Sequence, residues 1–150
     1  MVYEVPEGDI LVSCDRSKLD IDRIHAFLTA SYWAEGVSRE TVARSIENSI
    51  PFGIYCDGEQ AGFARVISDC ASYAYLADVY IEEPFRGRGL SKLLVRAVLA
   101  HPELRGLRRW ILGTRDAHGL YRQFGFSELQ RPERWMEKVE RGLYKAEGGQ

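Results

Sequence analysis

The stretch YAYLADVYIEEPFRGRGLSKLLVRAVLA, residues 73–100, changes its periodicity at a Gly/Arg turn, and that change orders everything around it. Before the turn, Tyr73–Ile81 is rich in β-branched and aromatic residues, the composition of a largely buried strand. Glu82, Glu83 and Pro84 interrupt the strand, and Arg86-Gly87-Arg88-Gly89 supplies two residues without a Cβ where the backbone must bend. Beyond Gly89 the apolar positions are Leu90, Leu93, Leu94, Ala97 and Val98. That is the i, i+3, i+4, i+7, i+8 spacing of a helix with one buried face.

A glycine turn leading into a helix is an anion site, because the free N–H groups of turn and first helical turn point the same way and the helix dipole adds positive potential. Arg86 and Arg88 reinforce it, since a guanidinium grips phosphate oxygens through a planar fork. The glycine spacing excludes two common phosphate loops. Lys92 lies only three residues past Gly89, so there is no G-x-x-x-x-G-K-[ST], and it stands where a third glycine of G-x-G-x-x-G would be.

The segment IEEPFRGRGLS, residues 81–91, resembles the acetyl-CoA loop of the GNAT superfamily of N-acetyltransferases, R/Q-x-x-G-x-G/A. Arg86 and Gly89 match the first two fixed positions, and Ser91 replaces the final small residue. Farther on, LYRQFGF, residues 120–126, is similar to the family's L-Y-x-x-x-G-F segment. The resemblance covers roughly residues 10–139. It implies an α/β (α+β) fold: a mixed central sheet of about six to seven strands flanked by about four helices, with acetyl-CoA in a strand split. It further implies that Arg86, Gly87, Arg88, Gly89, Leu90 and Ser91 bind the cofactor, that its pantetheine arm runs along the strand edge at Val79 and Ile81, and that Thr114 stands where many relatives place a cofactor-contacting asparagine.

Composition agrees with one soluble domain. The chain has 150 residues, 45% of them hydrophobic and 28% charged, enough to form a single core without disorder or a membrane span. A net charge of -2 argues against a nucleic-acid binder, despite the local cluster of Arg105, Arg108 and Arg109. Cys14, Cys56 and Cys70 are odd in number and far apart, so they are expected to be buried reduced thiols, with neither a disulfide framework nor a metal site. The first eight residues lack the basic region and apolar core of a signal peptide, and a cytoplasmic protein is expected. A homodimer is possible; neither a nucleic acid nor a membrane is an expected partner.

The flanking elements follow from local signals. Residues 9–14 read as a first strand, Asp20 caps a helix carrying Ile21, Ile24, Leu28 and Tyr32 on one face, and Ser38 opens a second with Val42 and Ile46. Tyr32 is therefore read as a core residue, in preference to the substrate contact that the resemblance implies for it by its position in the connector. Asp57-Gly58 between apolar runs predicts a hairpin of residues 52–56 and 60–67. A strand at 109–112 should lie parallel to Tyr73–Ile81, because a helix connects the two. A last helix from Thr114 to a left-handed cap at Gly125, a closing hairpin of residues 126–130 and 135–139, and a polar tail at 141–150 complete the reading, so that residues 1–140 form the domain.

The resemblance also implies chemistry. An amine acceptor attacks the thioester directly, and Tyr121, the family tyrosine, protonates or hydrogen-bonds the departing thiolate; as a phenol of pKa about 10 it suits a thiol of about 8.5. A lysine-like amine is mostly protonated at pH 7, a penalty of roughly 4.6 kcal/mol, so a nearby carboxylate is useful. The family often places one on the central strand, where this chain has Tyr75; Asp78 is the nearest strand carboxylate, either as base or ammonium anchor or simply as an arginine partner. Glu35, Asp116 and His118 are weaker alternatives for the base. By position in the connector between the first two helices, Trp33 and Glu35 are substrate contacts. The contrasting reading is a non-catalytic acyl-CoA-binding sensor built on the same loop.

Overall fold

The structure is a computed structural model, and it describes residues 2–144. Six strands form one sheet in sequential order: β1 (Glu4–Glu7), β2 (Ile10–Ser13), β3 (Ile50–Cys56), β4 (Glu59–Ser68), β5 (Tyr73–Ile81) and β6 (Arg109–Ile111). Successive pairs are antiparallel until β5 and β6, which run parallel because α3 (Leu90–Leu99) carries the chain back between them. The sheet is mixed, as the sequence implies. Asp57 and Gly58 both take positive φ, 50° and 83°, in the expected two-residue turn between β3 and β4.

β1 is the strand that sequence reasoning missed. Its four residues, EVPE, include a proline and two acids, and only an edge position tolerates that composition. α1 (Ile21–Thr29) is capped by Asp20, whose carboxylate accepts from the Arg23 N–H, and α2 (Arg39–Glu47) by Ser38, whose hydroxyl accepts from the Thr41 N–H.

The helices cover both faces. On one, α3 buries Leu94, Val95 and Val98 against Phe52, Ile54 and Val66 of the sheet. On the other, Ile24 and Leu28 of α1 and Val42 and Ile46 of α2 enclose Phe63 and Tyr80, with Phe27 stacked on Tyr80 at 3.7 Å. Burying each such aliphatic side chain is worth about 1.5–3 kcal/mol.

Two irregularities of β5 position the site. Phe63 pairs with Tyr80 and Arg65 with Ala77, so one residue of β4 stands opposite two of β5, and the extra one, Asp78, takes φ 55°. This is a bulge. In addition, β6 pairs only with residues 73–75, so among the described residues no strand neighbours that side of β5 from Leu76 to Ile81. The sheet is split there.

The C-terminal region corrects several expectations. α4 comprises only His118–Arg122, although it does end in a left-handed Gly125 (φ 92°), with Phe126 N–H donating to the Tyr121 carbonyl as a Schellman cap requires. The closing hairpin does not form: residues 126–130 and 135–139 are in no strand, and Pro132–Arg134 is a 3-10 turn. β6 offers only a three-residue edge, too little to hold a ladder, and the Trp135 ring instead lies under the Arg109 guanidinium at 4.9 Å. Of the expected tail, Tyr144 packs against the α1–α2 cluster, and residues 145–150 lie outside the described part. Cys70 is exposed in the β4–β5 turn, not buried.

Candidate functional site

The glycine turn projects from the C-terminal end of β5. Gly87 and Gly89 have φ of 81° and 77°, the left-handed region where a side chain is strained, and nothing lies within 4 Å of where a Cβ would stand at either. Among the described residues, no hydrogen bond within the chain takes up the N–H groups of Gly87, Arg88, Gly89, Leu90, Ser91 or Lys92; the first helical bond of α3 is from Leu93 N–H to the Gly89 carbonyl. Six free amides at the start of a ten-residue helix form a donor set suited to a diphosphate. Arg86 is fastened by its Nε to the Ile81 carbonyl at 2.8 Å, which ties the turn to the strand and leaves its terminal nitrogens outward. Arg88 is exposed, and the Leu90 side chain is in the core, so Leu90 contributes to the turn through its backbone.

Beside the free edge of β5 lies a cleft of about 500 Å³ whose walls come from the α1–α2 connector, α2, β4, β5 and the β6–α4 loop. Asp78 and Val79 of the bulge, Thr114 and Tyr121 all line it. Asp78 accepts from Arg65 Nε at 2.6 Å through one oxygen and from Trp33 Nε1 at 2.8 Å through the other. A single carboxylate thus joins β4, β5 and the connector. Both side chains of the ion pair are largely buried, so solvent screens it little.

Across the cleft, the Tyr32 hydroxyl accepts from the Arg115 N–H at 3.1 Å, while the Arg115 guanidinium lies 3.9 Å over the Tyr32 ring. The connector is therefore attached to both lips. Tyr32 is half exposed and does not belong to the core, because α1 ends at Thr29, three residues before it. Thr114 Oγ1 accepts from the Ala117 N–H at 3.0 Å and so starts the turn into α4, leaving its own O–H to donate.

Tyr121 is 7% exposed, and burial pushes its pKa up to about 12, with the neighbouring Tyr32 adding to the shift. Its phenol therefore stays protonated at neutral pH. Its ring meets Phe126 edge-on at 5.8 Å, and among the described residues no hydrogen bond engages its hydroxyl. Glu35 is exposed and does not line the cleft; Tyr75 does. Sequence reasoning missed Arg65, Arg115 and Tyr144 as cleft residues, and it preferred a core place for Tyr32 over the substrate-contact alternative. Only Arg65 carried a signal, a charge inside the otherwise apolar strand QAGFARVI.

A mixed sheet opened by a split between its two parallel strands, with helices on both faces, defines a protein of N-acyltransferase architecture. The chain belongs to the Acetyltransferase (GNAT) family, which it matches over residues 19–126. Membership carries the general reaction of that family, acyl transfer dependent on acetyl-CoA. The chain is similar to a crystal structure described as a GNAT-family acetyltransferase of Xanthomonas campestris pv. campestris, with 48% identity, a TM-score of 0.88, and 93% of this chain and 98% of that one covered. It shares its fold with a structure from Deinococcus radiodurans R1 at 20% identity and a TM-score of 0.71, covering 98% of each chain. A Gibberella zeae protein named provisionally as an acetyltransferase is 29% identical over 147 residues, covering 82% of each.

Proposed function

We propose that this protein transfers the acetyl group of acetyl-CoA to a primary amine by direct attack, with Tyr121 as the general acid. The observation that carries the reading is a buried, protonated phenol and a carboxylate lining one cleft beside an unpaired strand edge. Acetyl-CoA supplies an activated acetyl thioester. The amides of residues 87–92, with Arg86 and Arg88, hold its diphosphate; the free edge at Val79 and Ile81 receives its amide-bearing arm; the Thr114 hydroxyl donates to it.

Asp78 acts as the anchor for the acceptor ammonium, its carboxylate fixed at the cleft between Arg65 Nε and Trp33 Nε1. Trp33 holds the anchor in place from the connector. The ammonium held at Asp78 first gives one proton to water; as the neutral amine nitrogen then bonds to the acetyl carbon and the C–S bond breaks, Tyr121 gives its phenolic proton to the departing sulfur, and the second proton lost by the nitrogen passes through water to restore Tyr121. Soluble, unassisted protonation of the thiolate is the slower alternative, so Tyr121 acts mainly in the transition state.

The test is Tyr121→Phe, which keeps the ring in the core. Thiol release with an amine acceptor should show kcat lowered by about 10²–10⁴ at pH 7 while acetyl-CoA affinity and Tm stay close to wild type. A Phe variant as active as wild type refutes the assignment. A wild-type protein that binds acetyl-CoA by calorimetry yet acetylates none of a broad amine panel is instead an acyl-CoA sensor.

A further inference from the structure

The face of the sheet that α1 and α2 cover is left bare toward the N-terminal end of β5, and the bare part is aromatic. Residues directly opposite across strands share a face, so Ile67, paired with Tyr75, and Arg65, paired with Ala77, lie on the same side as Phe63 and Tyr80, which α1 and α2 enclose. The bulge at Asp78 makes this possible: Tyr80 and Ala77 are three residues apart, yet both face the helical side. Tyr73, Tyr75 and Ile67 consequently emerge beyond the helices, 38%, 40% and 43% exposed. Tyr32 and Trp33, 50% and 40% exposed and in edge-to-face contact at 5.1 Å, stand over the same opening. A monomer rarely leaves so many large apolar groups together without using them.

This platform is continuous with the cleft, since Tyr75, Tyr32 and Trp33 line it together with Asp78. Its rings select what it receives. Among the described residues, the cations of the cleft wall are Arg65, whose Nε is bonded to Asp78, and Arg115, whose guanidinium lies over the Tyr32 ring. An ammonium finds a carboxylate bordered by an indole and phenol rings, all of which favour a cation.

We infer that the acceptor is an aryl-alkylamine, a primary amine joined by a short alkyl chain to an aromatic ring, with its nitrogen at Asp78 and its ring on Tyr75, Trp33 and Tyr32. The inference rests on the acetyl-transfer reading above and narrows it to one substrate class. The experiment compares 2-phenylethylamine, n-propylamine and a phosphorylated amino sugar by thiol release. Wild type should favour 2-phenylethylamine over n-propylamine by about tenfold or more in kcat/KM, the worth of one well-placed ring. Tyr75→Ser, at an exposed position, should collapse most of that ratio.

Equal kcat/KM for the first two amines, or a preference for the phosphorylated sugar, overturns the inference. Calorimetric titration of the same amines into CoA-saturated protein gives a second reading that needs no turnover. A tenfold binding preference for the aryl amine without any transfer keeps the platform and removes the transferase reading. Transfer without that preference does the reverse.

Discussion

Gly89→Val tests whether the glycine turn is the diphosphate site, because the structure separates its effect on folding from its effect on binding. Gly89 has φ 77° and caps α3, and an added Cβ meets nothing within 4 Å. The folding penalty is therefore backbone strain alone, about 1–2 kcal/mol for an L-residue in the left-handed region. For a chain of this size that lowers Tm by roughly 2–8 °C, leaving the protein folded at 25 °C. The binding penalty is different in kind. The free N–H groups of residues 87–92 converge on the space in front of α3, and a branched side chain at Gly89 stands among them. Acetyl-CoA affinity should fall below detection by calorimetry. Gly89→Ala carries most of the same strain with two fewer side-chain carbons, and it should bind with intermediate affinity at a similar Tm. A Val variant that is folded and binds acetyl-CoA as wild type does would falsify the placement of the diphosphate.

Replacing Arg86 and Arg88 together by Ala should remove charge-assisted bonds worth about 1.5–3 kcal/mol each and flatten the salt dependence of acetyl-CoA binding; unchanged affinity and slope count against the loop. Stability should also fall on the alkaline side. Burial raises the phenols of Tyr55 and Tyr80 and pushes Tyr121 and the Cys14 thiol up to about 12, so the unfolded chain loses these protons first, beginning near pH 9 to 10 for thiols and phenols. Below that range their contribution is fully present, and it is lost as pH rises toward 12. Urea midpoints that stay flat from pH 8 to 11.5 contradict it.

What the sequence revealed was what depends on neighbours along the chain. The caps at Asp20 and Ser38, the Asp57-Gly58 turn, the Gly125 cap and the strand–turn–helix at residues 73–99 each rest on contacts within a few residues, and each is where local chemistry puts it. The closing hairpin failed for the complementary reason. Residues 126–130 and 135–139 have strand-forming side chains, but a strand exists only when another edge accepts it, and β6 extends for three residues. Likewise β1, composed against strand formation, forms because β2 is beside it. The cleft's internal wiring was equally hidden: Trp33 meets Asp78 across 45 positions and Arg115 meets Tyr32 across 83, so both contacts depend on register and not on spacing.

The bulge at Asp78 explains why fold and chemistry coincide here. A regular β5 would alternate strictly, and Tyr80, which α1 needs for its core, would then share a face with Asp78, Leu76 and Ala74. Those apolar residues would be withdrawn from α3, and Tyr73 and Tyr75 would turn into the α3 side. One inserted residue restores both faces: Ala74 and Leu76 pack with the α3 cluster, Tyr80 packs with α1 and α2, and Tyr75 opens onto the cleft. The inserted residue must tolerate a left-handed backbone, and aspartate is among the few side chains other than glycine that do so readily. Its carboxylate is then held by Arg65 and Trp33 at the point where the strand pairing shifts. The same position that corrects the packing phase of β5 thereby presents the site's anchoring charge, so a substitution at Asp78 cannot be read as a purely catalytic change without a measurement of stability beside it.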